Sequence, residues 1–112
     1  MLTPLEVVQS QFDAYNARDL ERFMANFSES IKVYRMATNE LAMEGKGALA
    51  SYYASERFNR PGLRAELLSR MVLGNKVFDR ERIVGVSEIP LEVVAAFEVE
   101  DGLIKTMWAF SA

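Results

Sequence analysis

The chain has 112 residues, half of them hydrophobic, and a formal net charge of −3. This size and composition predict a single compact domain covering residues 1–112. The absence of histidine and cysteine excludes histidine acid–base chemistry, thiolate nucleophiles and the usual zinc ligands, so we expect no metal and no cofactor.

Charged residues of both signs are mixed along the chain, without a long block of either. Nucleic-acid binding and attachment to acidic membranes both favour a basic patch, which this pattern lacks. No apolar run approaches the roughly 20 residues that cross a bilayer, and the first residues do not resemble a signal peptide. We therefore expect a cytoplasmic protein that binds neither nucleic acid nor membranes.

Two helices are predicted at the start of the chain. Thr3 is placed as an N-cap with Glu6 completing a capping box, and apolar residues then recur at helical spacing as far as Tyr15. Asp19 is placed to cap a second, short helix whose buried face extends to Phe27.

A strand pair and a third helix are predicted next. Residues 31–34 alternate as a strand does, and a turn at residues 37–40 leads to a return strand over residues 41–44. The glycines of residues 45–47 interrupt the chain, and a helix follows over residues 48–58.

The last fifty residues predict four strands in two hairpins. A two-residue turn at residues 74–75 sets Arg70 opposite Asp79 and Leu68 opposite Glu81. The second hairpin turns at residues 101–102 in the same way.

That second turn predicts the pairs Glu98 with Lys105, Phe97 with Thr106 and Ala95 with Trp108. One apolar face is then predicted to hold Val93, Ala95, Phe97, Val99, Ile104, Trp108 and Phe110. Together these elements predict an α+β fold in which three helices cover the concave face of a curved, mostly antiparallel sheet.

Three segments carry a resemblance to a known family: residues 15–20 (YNARDL), residues 45–47 (GKG) and residues 97–104 (FEVEDGLI). Together they resemble the nuclear transport factor 2-like superfamily, and within it the SnoaL-like polyketide cyclases and the relatives of ketosteroid isomerase. The resemblance implies a cone-shaped, cystatin-like α+β roll with a pocket between helices and sheet. It also implies a homodimer formed through the sheet.

The resemblance leaves enzyme activity open. It puts Gln11, Arg35 and Ala95 at the three positions where steroid delta-isomerases carry a tyrosine, an aspartate base and an aspartic acid. Arginine cannot act as a base at neutral pH, and alanine cannot donate a hydrogen bond. Any isomerase- or cyclase-like reaction would therefore use another carboxylate, and Asp79 and Glu81 are the candidates.

Polar residues at positions 66, 70, 79 and 81 are predicted to share one face of the first hairpin. They form the polar end of a pocket, with Asp79 or Glu81 as acid or base and Arg70 beside it, or they form a solvent-facing ladder of ion pairs. The aromatic residues likewise either line a cavity or fill the core. The candidate pocket residues are Gln11, Tyr15, Arg35, Tyr53, Phe58, Glu66, Arg70, Phe97 and Trp108.

Three functions fit these patterns. The first is binding of a small hydrophobic molecule, and of an anionic one if Arg35 turns inward as its counter-charge. The second is acid–base catalysis by Asp79 or Glu81. The third is a non-catalytic dimerisation module, for which the candidate contacts on the convex side are Met71, Phe78, Val94, Ala96 and Met107.

Overall fold

The computed structural model describes residues 1–112 as three helices and six strands. The helices are α1 (Pro4–Asn16), α2 (Leu20–Met24) and α3 (Lys46–Glu56). The strands are β1 (Phe27–Arg35), β2 (Glu40–Glu44), β3 (Arg64–Leu73), β4 (Lys76–Val84), β5 (Leu91–Glu100) and β6 (Leu103–Ser111). None of the three helices has the length and continuous apolar character needed to cross a membrane.

Both predicted helix starts are confirmed. The Thr3 hydroxyl accepts a hydrogen bond from the Glu6 N–H at 3.2 Å, and the Glu6 carboxylate accepts one from the Thr3 N–H at 2.8 Å. The Asp19 carboxylate accepts from the Arg22 N–H at 3.1 Å and caps α2. These bonds satisfy N–H groups that the first turn of a helix leaves without partners.

Three predicted helix boundaries are wrong: the end of α2 and both ends of α3, which spans Lys46–Glu56 instead of residues 48–58. Phe27 does not extend α2 but begins β1, where it pairs with Ile104. Its ring still packs on Phe23, with centroids 5.0 Å apart. An apolar residue at this position is therefore buried whether the segment is helix or strand, and the sequence pattern does not distinguish the two. Helix α3 begins at Lys46, because Gly45 with φ of 89° turns the chain and Gly47 then continues as helix.

The strands form one open sheet in the order β2-β1-β6-β5-β4-β3. All neighbours are antiparallel except β1 and β6, which are parallel. The sheet is curved and the helices cover its concave face, so the predicted α+β roll is confirmed.

The first hairpin contains a bulge that the sequence did not reveal. Arg70 pairs with Asp79 as predicted, but the register shifts between Leu67 and Ser69, so Leu67 rather than Leu68 lies opposite Glu81. An extra residue in one strand reverses the faces of the residues beyond it. Glu66 therefore lies on the convex side, whereas Arg70 lies on the concave side with Asp79.

The second hairpin is shifted in the same way by a bulge at Lys105. Glu98 pairs with Thr106 instead of Lys105, and Phe97 pairs with Met107 instead of Thr106. Met107 thereby joins the concave face, so its predicted place among the dimer contacts of the convex side is wrong.

The same bulge moves Trp108 off the apolar inner face. Trp108 pairs with Ala96 rather than Ala95, and Phe110 pairs with Val94 but still borders the inner cavity. On the convex side the Trp108 ring stacks beside Tyr34, with centroids 6.4 Å apart.

The core lies between the helices and the concave face of the sheet. Phe23, Phe97 and Leu49 are almost fully buried there, and burial of such a side chain stabilises the fold by about 1.5–3 kcal/mol. Phe58 packs into the same core, 5.5 Å from the Tyr15 ring and 5.8 Å from the Tyr53 ring, centroid to centroid.

Candidate active site

A cavity of about 420 Å³ lies between the concave face of the sheet and the helices α1 and α3. Most of its wall is hydrophobic or aromatic. Apart from the tyrosine hydroxyls, the polar side chains in the wall are Gln11, Arg35, Arg57, Glu81 and Ser111. The cavity therefore suits a small, mainly apolar molecule with few polar groups.

Glu81 is the acidic residue of this wall. Strand β4 presents it on the concave side, between Asp79 and Ile83, and only 8% of its surface is exposed. Its carboxyl group forms no ion pair within 4.0 Å. Burial, helped by the nearby charge of Asp79 and opposed by those of Arg70 and Arg57, raises its pKa to about 7.

A pKa near 7 gives the Glu81 carboxyl group two chemical roles. At neutral pH a substantial share of the molecules carries it protonated and a substantial share carries it ionised. A group of this kind can accept a proton from a bound molecule and return it elsewhere.

Asp79 also lies on the concave side but has a different environment. It is fully buried, and its two carboxylate oxygens accept hydrogen bonds from Arg70 Nε at 2.6 Å and Nη2 at 2.9 Å. Arg70 Nη1 donates a further bond to Gln9 Oε1 at 2.6 Å. Neither Asp79 nor Arg70 is part of the cavity wall. Their ion pair lies next to Glu81 on the same strand face, outside the cavity.

The four predicted polar residues of the first hairpin are therefore divided. Arg70, Asp79 and Glu81 are on the covered concave side, so a solvent-facing ladder of ion pairs does not describe them. Glu66 does face solvent, and its carboxylate lies 3.8 Å from the Arg64 guanidinium.

Arg57 is a residue of the wall that the sequence analysis missed. It follows the last turn of α3, and its guanidinium donates hydrogen bonds to the Tyr15 hydroxyl at 3.1 Å and the Tyr52 hydroxyl at 3.3 Å. The only sequence signal was the spacing of Tyr52, Tyr53 and Arg57, which puts them within one to two turns of a helix. The contact with Tyr15, 42 residues away, has no local signal.

The two inner tyrosines remain protonated at neutral pH. Burial raises the pKa of Tyr15, and more strongly that of Tyr53, above the ordinary value. Their hydroxyl groups can therefore donate hydrogen bonds within the site.

The predicted pocket residues divide between the wall and its surroundings. Those in the wall are Gln11, Tyr15, Arg35, Tyr53 and Phe97, and those outside it are Phe58, Glu66, Arg70 and Trp108. Phe58 belongs to the aromatic core, while the two bulges explain the positions of Glu66 and Trp108.

The three positions aligned with isomerase catalytic residues all border the cavity. Gln11 and Ala95 are buried in its wall, and Arg35 lies at its exposed edge without an ion-pair partner. No group of three or more acidic side chains converges in a way that would hold a metal ion.

The fold and this cavity define the chain as an α+β domain of the nuclear transport factor 2-like class. The family model of the SnoaL-like domain matches residues 8–107. The protein therefore belongs to the SnoaL-like domain family. No functionally curated protein matches the sequence significantly.

Solved structures of similar fold come from several bacteria. A cystatin-fold protein from Novosphingobium aromaticivorans is 22% identical with a TM-score of 0.84, over 97% of this chain and 98% of its own. A proposed ketosteroid isomerase from Kribbella flavida is 20% identical with a TM-score of 0.80, over 95% and 75% of the two chains.

A proposed polyketide cyclase from Sinorhizobium meliloti is 19% identical with a TM-score of 0.78, over 96% of this chain and 99% of its own. At these identities the likeness establishes the fold and leaves the reaction open.

Proposed function

We propose that this protein binds a small, mainly apolar molecule in the concave cavity and transfers a proton on it, with Glu81 as the acid–base group. The observation that carries the proposal is a buried carboxyl group that forms no ion pair, in a mainly hydrophobic wall, and whose pKa burial raises to about 7. Strongly perturbed carboxyl groups in clefts are concentrated at catalytic sites.

Glu81 has no structural partner that explains its burial. Asp79, two residues earlier, is held by Arg70, whereas Glu81 forms no ion pair. A buried carboxyl group without such a partner costs stability, so a hydrophobic residue would suit the fold better. A role towards a bound molecule supplies the reason for a carboxyl group at this position.

The proposed reaction is enolisation of a carbonyl compound. Glu81 takes a proton from the carbon beside the carbonyl group and returns it to the same or a conjugated carbon, so the substrate's composition does not change. This chemistry agrees with the isomerase and cyclase names of two structural neighbours. It uses a different part of the wall, since Gln11, Arg35 and Ala95 supply no carboxyl group.

Deuterium exchange into simple ketones tests the proposal, whatever the natural substrate is. 2-Tetralone and 3-cyclohexenone are incubated with the protein in D2O, and exchange beside the carbonyl group is followed by NMR. We expect acceleration by the wild type, and a loss of about 10²-fold or more in Glu81→Gln.

Glu88→Gln is the matched control, because Glu88 lies in an exposed loop outside the cavity. It should exchange both ketones at the wild-type rate. Equal rates for Glu81→Gln and the wild type, or no acceleration of either ketone by the wild type, would reject proton transfer by Glu81.

We also propose that the convex face of the sheet binds a second copy of this chain. Register partners from all six strands form one apolar row, which we call the convex row: Leu41, Tyr34, Trp108, Ala96, Phe78 and Met71. The next pair in register, Val94 and Phe110, also borders the cavity and is not counted in the convex row. A continuous apolar patch that crosses all six strands is typical of an interaction surface.

The border of the convex row favours self-association over an unrelated partner. The next residues across the sheet include Lys76, Glu98, Lys32 and Glu44, which alternate in charge. In a two-fold dimer such a border can meet its own copy with opposite charges facing each other.

A further inference from the structure

The guanidinium of Arg57 differs from the other partly buried arginine beside the concave site, Arg70. Arg70 is neutralised by Asp79 through two hydrogen bonds. Arg57 bonds only to the neutral hydroxyls of Tyr15 and Tyr52, and no carboxylate lies within 4.0 Å of it. Arg57 therefore brings a positive charge without an ion-pair partner into the cavity wall.

An unneutralised cation in a hydrophobic wall is costly unless an anion joins it. Phenol oxygens accept hydrogen bonds but carry no charge at neutral pH, because burial raises the pKa of Tyr15 and keeps its hydroxyl protonated. The two hydroxyls accept from Arg57, and a phenol O–H can also donate a hydrogen bond. Arg57, Tyr15 and Tyr52 thus supply several donors and one positive charge at the same place.

The remaining charges of the cavity favour an anion as well. Arg35 lies at the exposed edge of the wall, while Glu81 is its one acidic side chain. The wall therefore has two cations and a carboxyl group that forms no ion pair with either of them, although the whole chain has a net charge of −3.

We propose that Arg57, with the hydroxyls of Tyr15 and Tyr52, is an anion-binding subsite that receives the carboxylate of a small apolar acid in the Glu81 cavity. This inference rests on the proposed ligand-binding role of the cavity and adds the class of ligand. A planar guanidinium matches a carboxylate with two parallel hydrogen bonds, and such charge-assisted bonds are strong when shielded from water.

The test compares an acid with a neutral molecule of the same shape. Binding of 2-naphthoate and 2-naphthamide is measured by calorimetry at pH 6, where the acid is ionised. We expect the wild type to bind 2-naphthoate about tenfold or more tightly than 2-naphthamide, and Arg57→Gln to lose this preference while keeping its affinity for the amide.

Two further variants separate the subsite from other charges. Arg57→Lys keeps the charge without the planar fork and should retain part of the preference. Arg82→Gln removes an exposed arginine outside the cavity and should behave as the wild type. Tyr15→Phe with Tyr52→Phe leaves Arg57 in place, and we expect it to weaken naphthoate binding severalfold; this variant also serves if Arg57→Gln fails to fold.

The outcomes distinguish this inference from the proposed function. Equal affinity for acid and amide, or a preference that survives in Arg57→Gln but disappears in Arg35→Gln, would overturn the Arg57 subsite and leave ligand binding in the cavity standing. If the wild type binds neither naphthalene probe, the subsite is rejected together with the apolar pocket. Retained Glu81-dependent exchange of ketones with equal acid and amide binding would reject the subsite alone.

Discussion

The carboxyl group of Glu81 is poorly solvated, so its pKa rises from 4.5 to about 7. Between these two pH values the folded protein holds a proton that the unfolded chain has released. Raising the pH through this window therefore lowers the free energy of unfolding, by as much as about 3 kcal/mol once the pH exceeds the folded pKa. The loss is absent below about pH 4.5.

Glu81→Gln should remove this pH-dependent loss. The charges of Asp79, Arg70 and Arg57, which act on Glu81, remain in the variant. The quantity compared is the free energy of unfolding of the variant minus that of the wild type. We expect this difference to be about 2–3 kcal/mol higher at pH 8 than at pH 5.

Urea unfolding at the two pH values measures this difference. Glu88→Gln makes the same chemical change in an exposed loop and should show no dependence of this kind. The same relative stability of Glu81→Gln at pH 5 and pH 8 would show that the pKa of Glu81 is not raised. If the difference is found, Glu81 lowers the stability of the folded protein at neutral pH, as catalytic groups often do.

At the scale of the elements, the connection from α3 to β3 fixes the position of Arg57. Residues 57–62 pass over the end of β4, where Arg60 Nη1 donates a hydrogen bond to the Val86 carbonyl at 3.1 Å. Gly85 has φ of 88°, and a Cβ added there would lie 2.3 Å from the Gly62 carbonyl oxygen. The two backbones can approach only because residue 85 has no side chain.

Gly85→Ala should therefore destabilise the protein by at least about 2 kcal/mol, through the clash and the unfavourable positive φ. Gly47→Ala is the matched control. Gly47 lies in α3 with nothing within 4 Å of an added Cβ, so alanine should stabilise the helix by about 0.5–1 kcal/mol. Thermal unfolding of both variants measures the contrast, and similar melting temperatures would contradict it.

Elements that depend on neighbouring residues were predictable from the sequence, and the register of distant strand residues was not. Capping by Thr3 and Asp19 depends on residues three positions apart, and the pairing of Arg70 with Asp79 lies close to a two-residue turn. Register fails beyond the bulges at Leu68 and Lys105, because a bulge depends on how the whole sheet curves and leaves little mark on the local pattern.

The candidate site was less predictable than the fold. Glu81 was singled out because it shares a strand face with Asp79. The structure distinguishes the two: Arg70 pairs with Asp79, whereas Glu81 forms no ion pair and lies in the cavity wall. Arg57 was missed because its partner Tyr15 comes from another helix. A side chain that closes a core and one that lines a cavity, such as Phe58 and Tyr53, have the same sequence pattern and differ by a few ångströms in position.

At the scale of the whole molecule, the two faces of the sheet have different proposed roles. The concave face is covered by helices and encloses the cavity, whereas the convex row crosses six strands, a width of about 24 Å at the usual strand spacing. Stable complexes bury roughly 800 Å² per partner, so a dimer would use the convex row together with its charged borders.

The convex face offers a direct test of self-association. If two copies meet through it, the wild type should sediment as a dimer at about 50 μM, and Met71→Lys with Leu41→Lys should sediment as a monomer, because buried lysines without partners oppose association. These two side chains are 61% and 46% exposed and lie outside the cavity wall, so the substitutions should spare the fold and the cavity. Ile89→Lys with Leu103→Lys adds the same charge at exposed positions away from the convex row and should remain dimeric. A monomeric wild type, or a control that dissociates equally, would refute the convex interface while leaving the chemistry proposed for the concave face intact.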